Sequence, residues 1–519
     1  MTSCSRVSWI ALLWLALLLN ACAQTRDVVL PSRGDLPSAS YPPRNGALDA
    51  RESQMARTAW QYFENNYQPA TGMVNAVDGY PSTTMWDTAS YLGGLVAARE
   101  LGIVDKRGFD ERISTLLKTL NSMELFRGQM PNKAYNTVTA QKVNYANQPG
   151  EIGFSALDVG RLLIWLKIIE ERYPEHGNAI DRFLLRWDFS RAIDACGMLY
   201  GATLGPDKQV QYVQEGRLGY QDYGASGYQL WGFSTCMASR PEPYALVPIY
   251  CVDVPYDSRD PRELSQHNYV VSESYVLDGL ELGWARATDR AAGTRPVVQR
   301  DTWMANFARR IYQAQENRFL ATGILTARSE HQVDGDPYFV YDTVYTDGFA
   351  WNTITEKGAY VPQYAAISTK AAVGMWALWN SAYTDRLAEA IWGQYVPGKG
   401  YYEGVLENGK GPIKVFTANN NGIILEALMF KVEGRLLRFN EAAPQMGNRQ
   451  PSLWERTLTN PFDADNAARN RPRMIARGAS SCRAGTGAFG VASCSLSCSD
   501  CPTCQDDAPF ILPAYSQCH

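Results

Sequence analysis

The sequence has few histidines, no block of basic residues and no internal repeat of fixed period. Only four of its 519 residues are histidine, which argues against a metal site with imidazole ligands, and we expect neither a metal nor another cofactor. A formal net charge of −4 without a basic patch argues against nucleic acid as a partner. The missing repeat period disfavours an α-solenoid assembled from similar helix pairs.

The apolar run at residues 7–19 is too short to indicate a membrane-spanning helix. It follows Arg6 and ends in the letters LNAC, a pattern that resembles the cleavage site of bacterial lipoproteins. We therefore expect residues 1–21 to be a signal peptide and Cys22 to carry the lipid anchor. A plain secretory signal is the alternative.

Residues 22–46 are rich in Pro and Ser and lack periodicity, which predicts a flexible tether. Ala23, rather than an acidic residue, follows the acceptor cysteine, and this resembles the pattern of lipoproteins sent to the outer membrane. The sequence thus predicts an exported, lipid-anchored protein of the cell envelope, on the periplasmic or surface face of the outer membrane.

Eleven cysteines fit an oxidising compartment, and six of them lie close to the C-terminus. These six are Cys482, Cys494, Cys498, Cys501, Cys504 and Cys518. Their spacing could hold a metal or an iron–sulfur cluster, but disulfides are favoured in an exported protein. We expect residues 439–519 to form a polar, cysteine-rich arm rather than an independently folded domain.

The clearest helical segment is residues 81–102, PSTTMWDTASYLGGLVAARELG. Its apolar residues recur at spacings of three and four, and a Ser or Thr precedes them as an N-cap. Trp86 and Asp87 fall in the first turn, where a carboxylate suits the positive end of the helix. The same order, a polar cluster followed by a strongly apolar body, recurs near Trp86, Ser155, Tyr220, Glu273, Lys370 and Asn419.

These segments alternate with more amphipathic ones, giving five clear helix pairs and a sixth pair whose first member is weak. Buried inner helices alternating with outer helices that bear one polar face predict an (α/α)6 toroid, a mainly α fold, over residues 47–438. A small β-hairpin insertion is expected in residues 197–216, with the letters LGPD at its turn. The inner helices of such a ring begin at one rim, so their first turns surround a single cleft.

Carboxylates and aromatic rings are the side chains that this cleft would collect. Two carboxylates across a sugar-binding cleft can hydrolyse a glycosidic bond, one as proton donor and the other by activating water or attacking directly. We predict Glu273 or Glu215 as the acid and Asp87 or Asp342 as the base. Substrate contacts are predicted at Trp86, Asp158, Tyr220, Tyr223, Tyr275, Trp351, Lys370, Asn419 and Asn420.

The candidates also have purely structural explanations. Asp87 suits the first turn of a helix whether or not it meets a ligand. Glu215 stands two residues before Arg217, which makes a structural ion pair an equal alternative. Arg161 follows Asp158 by three residues, and opposite charges at that helical spacing stabilise one another.

Five segments carry a resemblance to a known family. They are TMWDTASYLGGLVAARELG, GFSALDVGRLLIWL, EGRLGYQDYGASGYQLWG, VSESYVLDGLELG and PYFVYDTVY. As a set they resemble the bacterial exported proteins of domain-of-unknown-function family 3131, which are related to six-hairpin glycosidases of the glucoamylase-like and β-1,2-glucanase-like types. The resemblance covers most of residues 48–431. It implies the toroid fold and a carbohydrate substrate, but it supplies no proven catalytic residues.

These observations favour a cell-envelope lipoprotein whose toroid domain hydrolyses a poly- or oligosaccharide. The expected partners are a glycan substrate and, through the lipid anchor, a membrane. A non-catalytic glycan-binding or envelope-assembly lipoprotein is the alternative, since it would keep aromatic platforms without a facing carboxylate pair. A polysaccharide lyase is a further alternative, although its chemistry favours His and Tyr beside a neutralising cation, and histidine is scarce.

Overall fold

The computed structural model describes residues 41–235, 237–264, 266–285, 302–438 and 452–459 of the chain. The predicted signal peptide, Cys22, most of the tether and the six C-terminal cysteines lie outside these ranges. Within the ranges, no helix combines the length and the apolar character that crossing a membrane requires.

Helices dominate the described secondary structure, and several begin with the same cap. They are α1 Ala50–Asn66, α2 Met85–Glu100, α3 Lys106–Ser122, α4 Ala156–Arg172, α5 Gly177–Leu184, α6 Tyr220–Leu230, α7 Pro261–Leu264, α8 Glu273–Leu277, α9 Trp303–Thr322, α10 Thr369–Leu378, α11 Ala382–Ile391, α12 Ala418–Glu433 and α13 Leu453–Thr459. At Thr84, Ser155 and Thr417 a hydroxyl accepts a hydrogen bond from the amide of the third helical residue. This cap is the polar cluster that the sequence predicts ahead of the inner helices.

Six helices form a closed ring. Helices α2, α4, α6, α8, α10 and α12 each pack against the next, and α12 packs back against α2. Their side chains are buried on nearly every face, whereas α1, α3, α5, α9 and α11 pack outside the ring. The predicted (α/α)6 toroid is confirmed, because the contacts between the inner helices close into a ring and the outer helices keep a polar side.

Short antiparallel strands surround the rim at which the inner helices begin. They are β1 Ser82–Thr83, β2 Ala134–Asn136, β3 Lys142–Val143, β4 Gly153–Phe154, β5 Tyr200–Leu204, β6 Val210–Gln214, β7 Tyr244–Ile249, β8 Val252–Asp257, β9 His331–Gln332, β10 Phe339–Asp342, β11 Tyr345–Thr346, β12 Phe349–Ala350, β13 Thr353–Ile354, β14 Ala366–Ser368, β15 Tyr395–Val396, β16 Gly400–Tyr401, β17 Gly404–Leu406 and β18 Pro412–Ile413. Strands β5 and β6 are the predicted hairpin, with Tyr200 opposite Gln214 and Leu204 opposite Val210.

The helix pair whose first member is weak in the sequence is the one that ends in α8, and it differs from the other five. Ahead of α8, the outer layer holds the hairpin β7–β8 and the single turn α7, and β8 packs against α9. Pro248 and Pro255 remove backbone donors, and the alternating Val residues favour an extended chain, so this stretch cannot form the outer helix. The weak periodicity in the sequence reflects this replacement.

Helix α13 is the described part of the C-terminal arm, and it is anchored to the toroid by Trp454. The buried indole donates a hydrogen bond to the Trp231 carbonyl at 3.0 Å, and the Trp454 amide donates to the Asp181 carboxylate at 3.0 Å. Phe189 meets the indole edge-on with ring centroids 5.8 Å apart.

Candidate active site

The opening turns of the inner helices bring polar side chains into one basin. Trp86 of α2 and Asn419 of α12 both donate hydrogen bonds to Glu273 of α8, and Lys370 of α10 forms an ion pair with the same carboxylate. The ring of Tyr220, from α6, lies 5.8 Å from that of Trp86. Residues from five inner helices therefore meet at one place, although they are far apart along the chain.

Glu273 is the organising carboxylate of this basin and is only 2% exposed. One of its oxygens accepts hydrogen bonds from Asn419 Nδ2 at 2.7 Å and from Trp86 Nε1 at 3.2 Å. Burial alone raises the pKa of Glu273, but the charge of Lys370 and the hydrogen bonds outweigh it and hold the pKa below its usual value. An ionised, fully bonded carboxylate has no proton to give, so this geometry argues against the predicted acid role of Glu273.

Asp158 and Glu215 meet across Ser155, the N-cap of α4. The Ser155 hydroxyl oxygen lies 3.0 Å from Asp158 Oδ1 and 3.0 Å from Glu215 Oε2, and it accepts the Asp158 amide at 3.1 Å. Glu215 also accepts the Leu157 amide at 3.0 Å. The hydroxyl has one proton and can satisfy one carboxyl group, so the contact is favourable when the other carboxyl keeps its own proton.

Asp158 is the group that keeps this proton. Burial and then the charge of Glu215 raise the pKa of Asp158 to about 7, and the charge of Asp87 adds to the rise. The side chain is half-buried. Its predicted ion-pair partner Arg161 instead pairs with Glu426. A carboxyl group that is partly protonated at neutral pH and partly open to solvent meets the requirements of a proton donor.

Asp87 occupies the same helical position in α2 that Asp158 occupies in α4. Its carboxylate accepts the Thr84 hydroxyl at 2.8 Å and is half-buried. Burial raises the pKa of Asp87, while the Thr84 hydroxyl and the positive charges of Arg161 and Lys370 act against the rise. Asp87 therefore remains the better-placed of the two predicted bases.

Glu330 is a further half-buried carboxyl that sequence reasoning left out of the catalytic set. It accepts the Tyr220 hydroxyl at 2.6 Å. Burial and the nearby charge of Glu273 raise the pKa of Glu330. It stands between α9 and β9, in a stretch that the sequence predicts as a long loop. No local pattern there reveals its contact with a helix 110 residues away.

A buried ion-pair network forms the floor of the basin, and sequence reasoning missed it as well. Arg161 pairs with Glu426 at 3.1 Å and lies 3.7 Å from Glu281, and all three side chains are fully buried. Its guanidinium donates to Asn419 Oδ1 at 2.8 Å and lies over the Trp86 ring at 4.8 Å. Burial raises the pKa of Glu281 to about 7. The network therefore fixes Trp86 and Asn419 from below.

Asp342, predicted as a base, lies in a different environment. Its carboxylate is fully buried and pairs with Arg328. It also accepts hydrogen bonds from the Thr353 hydroxyl at 2.7 Å and from the Ala366 amide at 2.9 Å. Both oxygens are engaged and neither reaches solvent, so we remove Asp342 from the catalytic candidates and assign it to holding β10, β13 and β14 together.

Tyr223 and Tyr275 serve packing rather than the basin surface. Tyr223 is buried and donates its hydroxyl to Glu281 in the floor network. Tyr275 is buried against Gly219, where the Cβ of any larger residue would come within 2.6 Å of the tyrosine ring. Neither ring is open to a ligand in this arrangement.

Trp351 and Asn420 also make contacts elsewhere. The Trp351 ring lies under the Arg318 guanidinium at 4.6 Å. The Asn420 amide donates to the carbonyls of Tyr401 and Tyr402 at 3.2 and 3.0 Å and ties α12 to β16. Of the two predicted asparagines, Asn419 is therefore the one whose side chain enters the basin.

One cluster among the described residues has the spacing of metal ligands. It consists of Asp110, Glu175 and His176, and Asp110 also pairs with Lys106 at 2.6 Å. Glu175 and His176 follow the C-terminal end of α4, whereas the basin lies at its N-terminal end. The cluster is therefore separate from the carboxylates described above.

Comparisons with known proteins agree with this architecture. The model of a family described as a protein of unknown function, DUF3131, matches residues 54–434. No curated protein matches the sequence significantly. Thirty-one solved chains match the fold.

Two of these structures come from Bacteroides proteins that are provisionally classed as glucoamylases. The one from Bacteroides fragilis NCTC 9343 has a TM-score of 0.54 at 12% identity, over 84% of this chain and 99% of that chain. The one from Bacteroides caccae ATCC 43185 has a TM-score of 0.52 at 12% identity, over 82% and 98%. An endo-β-1,2-glucanase from Chitinophaga pinensis, in complex with sophorotriose and glucose, has a TM-score of 0.50 at 12% identity, over 75% and 94%. The structural match shows a shared (α/α)6 fold, and at identities this low it shows the fold alone.

Proposed function

We propose that this chain, which belongs to the DUF3131 family of proteins of unknown function, is a glycoside hydrolase that cleaves a poly- or oligosaccharide. The observation that carries the proposal is the pair of carboxyl environments at the rim. Asp158 keeps a proton to about pH 7, while its neighbour Glu215 is anchored by the Leu157 amide. A carboxyl group that keeps its proton near neutral pH, beside other carboxyl groups in a cleft, is the equipment of acid–base hydrolysis.

Asp158 is the proposed proton donor to the leaving oxygen. Asp87, the equivalent residue on the neighbouring inner helix, is the proposed base or nucleophile. Trp86 offers an aromatic face, held from below by the Arg161 guanidinium at 4.8 Å, for the apolar face of a sugar ring. Glu273 positions Trp86 and Asn419 through the hydrogen bonds that it accepts from both.

The proposed substrate is a glucan. Structures of the same fold include an endo-β-1,2-glucanase bound to sophorotriose, and proteins provisionally classed as glucoamylases. The basin carries carboxylates and aromatic rings, and its cations Lys370 and Arg161 are already neutralised by Glu273 and Glu426. That balance favours a neutral sugar over a uronate, which disfavours the lyase alternative.

The experiment is a screen of the protein without residues 1–46 against α- and β-linked glucans of defined linkage, read as new reducing ends and product anomers. We expect release of reducing sugar from at least one glucan, without the ultraviolet absorbance of unsaturated products. Binding of a glucan without any cleavage would overturn the hydrolase proposal and leave a glycan-binding protein. The product anomer then separates inversion from retention.

We also propose that the protein is a lipoprotein of the cell envelope, anchored through Cys22 in the outer membrane. The LNAC motif and the Pro- and Ser-rich stretch that follows support this proposal. Cells fed a labelled fatty acid should label the wild-type protein, and Cys22→Ala should abolish the label and release the protein from the membrane fraction. Equal labelling of both forms would contradict it, and Cys4→Ala is the matched control.

A further inference from the structure

A groove of about 1140 Å³ leads away from the proposed catalytic carboxyls. It begins at Glu215 and Arg217, runs over the hairpins at the rim, and reaches His267 and Glu356. Glu215 shares Ser155 with Asp158, so the groove opens beside the proposed proton donor. Its volume exceeds the roughly 300–1,000 Å³ of sites for single small ligands, which points to a ligand of several units.

Aromatic rings form an unbroken row from the basin into this groove. Trp86 lies 5.8 Å from Tyr220, Tyr220 lies 6.1 Å from Tyr269, and Tyr269 stacks on Tyr341 at 4.6 Å. The Arg217 guanidinium lies over both Tyr220 and Tyr269, at 5.3 and 4.9 Å. Tyr220 and Tyr269 are buried, so the row joins the half-buried ring of Trp86 in the basin to the half-buried ring of Tyr341 in the groove.

Tyr145, on the loop between β3 and β4, is an exposed ring near carboxylates of both the basin and the groove. It is 67% exposed, and the charges of Asp158, Glu215 and Glu356 all act on its hydroxyl.

The loop that carries Tyr145 is braced. The Asn144 side chain accepts the amides of Ala146 and Gln148 at 3.0 and 2.9 Å. The Tyr80 hydroxyl donates to the Tyr145 carbonyl at 3.0 Å. The backbone that carries the exposed ring is therefore held in place.

The positive and negative side chains that line the groove are nearly equal in number, and some of them form ion pairs. Arg262 pairs with Asp260 at 2.6 Å, and His267 Nδ1 lies 2.9 Å from Asp347 Oδ2. Arg259 pairs with Glu242 at 2.9 Å. A groove lined by nearly equal numbers of positive and negative side chains favours a ligand that is uncharged and rich in hydroxyl groups.

We propose that this groove binds the continuing chain of a neutral polysaccharide on one side of the cleaved bond, with Tyr145 as a ring platform, so that the enzyme cuts within chains. The proposed cutting within chains rests on the proposed hydrolase function. The proposed binding of the chain rests on the groove alone. Tyr145 is a binding residue and takes no part in proton transfer.

Binding is tested by calorimetry with Asp158→Asn and glucan oligomers of increasing length, from disaccharide to octasaccharide, of the linkage that the wild type binds. We expect affinity to rise with length until the groove is filled. Tyr145→Ala should weaken binding of the long oligomers about tenfold and of the disaccharide far less. Tyr145→Phe retains the ring and should recover most of the loss.

Tyr338→Ala is the control, because Tyr338 is equally exposed, at 66%, in the turn between β9 and β10. The groove proposal would be overturned, even for an active hydrolase, if affinity did not depend on oligomer length. It would also be overturned if Tyr145→Ala and Tyr338→Ala had the same affinity for the long oligomers. Cutting within chains should lower the viscosity of a long glucan early in digestion, and release of monosaccharide alone would overturn that part. Length-dependent, Tyr145-dependent binding without cleavage would support the groove while refuting the hydrolase.

Discussion

Asp158→Asn is expected to lower kcat by about 10²–10⁴-fold, the range that general acid catalysis contributes, while leaving the affinity for the glycan nearly unchanged. The asparagine preserves the size of the side chain and can still contact Ser155, but it holds no transferable proton. The measurement is kcat on the glucan identified in the screen, together with binding by calorimetry. Full activity in this variant would remove Asp158 as the donor.

The pH profile of the wild type tests the same assignment. Asp158 acts in its protonated form, and its pKa is raised to about 7, so kcat/KM should fall as the pH rises through about 7. Glu330→Gln is the matched control, since it removes another half-buried carboxyl from the basin and keeps the contact with Tyr220. In Glu330→Gln, kcat/KM should still fall above about pH 7. If that fall disappeared in Glu330→Gln, the proton donor would be Glu330 instead.

The same substitution at Asp158 has a readout that needs no substrate. The folded state raises the pKa of Asp158, so the stability linked to its proton is present at low pH and is lost as the pH rises through about 7. Asparagine does not ionise. The free energy of unfolding of Asp158→Asn, relative to that of the wild type, should therefore be about 1–2 kcal/mol higher in alkaline than in acidic buffer, after allowance for partial exposure. Denaturant unfolding at several pH values measures this gain.

Lys370→Met is expected to lower the free energy of unfolding by about 3–5 kcal/mol, because it leaves Glu273 buried without its counter-charge. Lys370 holds the pKa of Glu273 below its usual value. The pair therefore stabilises the fold at pH values above the usual pKa of a glutamate, and this contribution is lost as the pH falls through the lowered pKa. The penalty should therefore shrink in acid, where Glu273 takes up a proton. Denaturant unfolding at neutral and acidic pH measures it.

Two comparisons separate this effect from the general loss of a lysine. Lys370→Met combined with Glu273→Gln removes both charges and should recover part of the lost stability. Lys399→Met breaks the pair with Asp78 at 3.1 Å, where the lysine side chain is 53% exposed, and should cost about 0–1 kcal/mol. A Lys370 variant no weaker than the Lys399 variant would contradict the buried-pair interpretation.

The misassigned site residues share a physical origin. The i+3 spacing predicts that Arg161 pairs with Asp158, but the ring turns Arg161 inward to Glu426, and Asp158 meets Glu215, which lies 57 residues further along the chain. The sequence predicts Asp342 as a base because it lies in a long loop rich in tyrosine, where functional residues are often found. Strands β10 and β14 instead enclose it with Arg328. Local spacing describes which residues share a helix face, and it carries no information about the element that covers that face.

The alternation of buried and amphipathic helices, the Ser and Thr caps, and the collection of Trp86, Asp158, Glu273, Lys370 and Asn419 at helix starts are all legible in the sequence. Those features follow from hydrogen bonding and periodicity within about one turn of a helix, so a single chain displays them. Which carboxyl keeps its proton depends on the tertiary structure. Glu273 and Asp158 look alike in the sequence, but desolvation and charges brought by remote segments lower the pKa of one and raise that of the other.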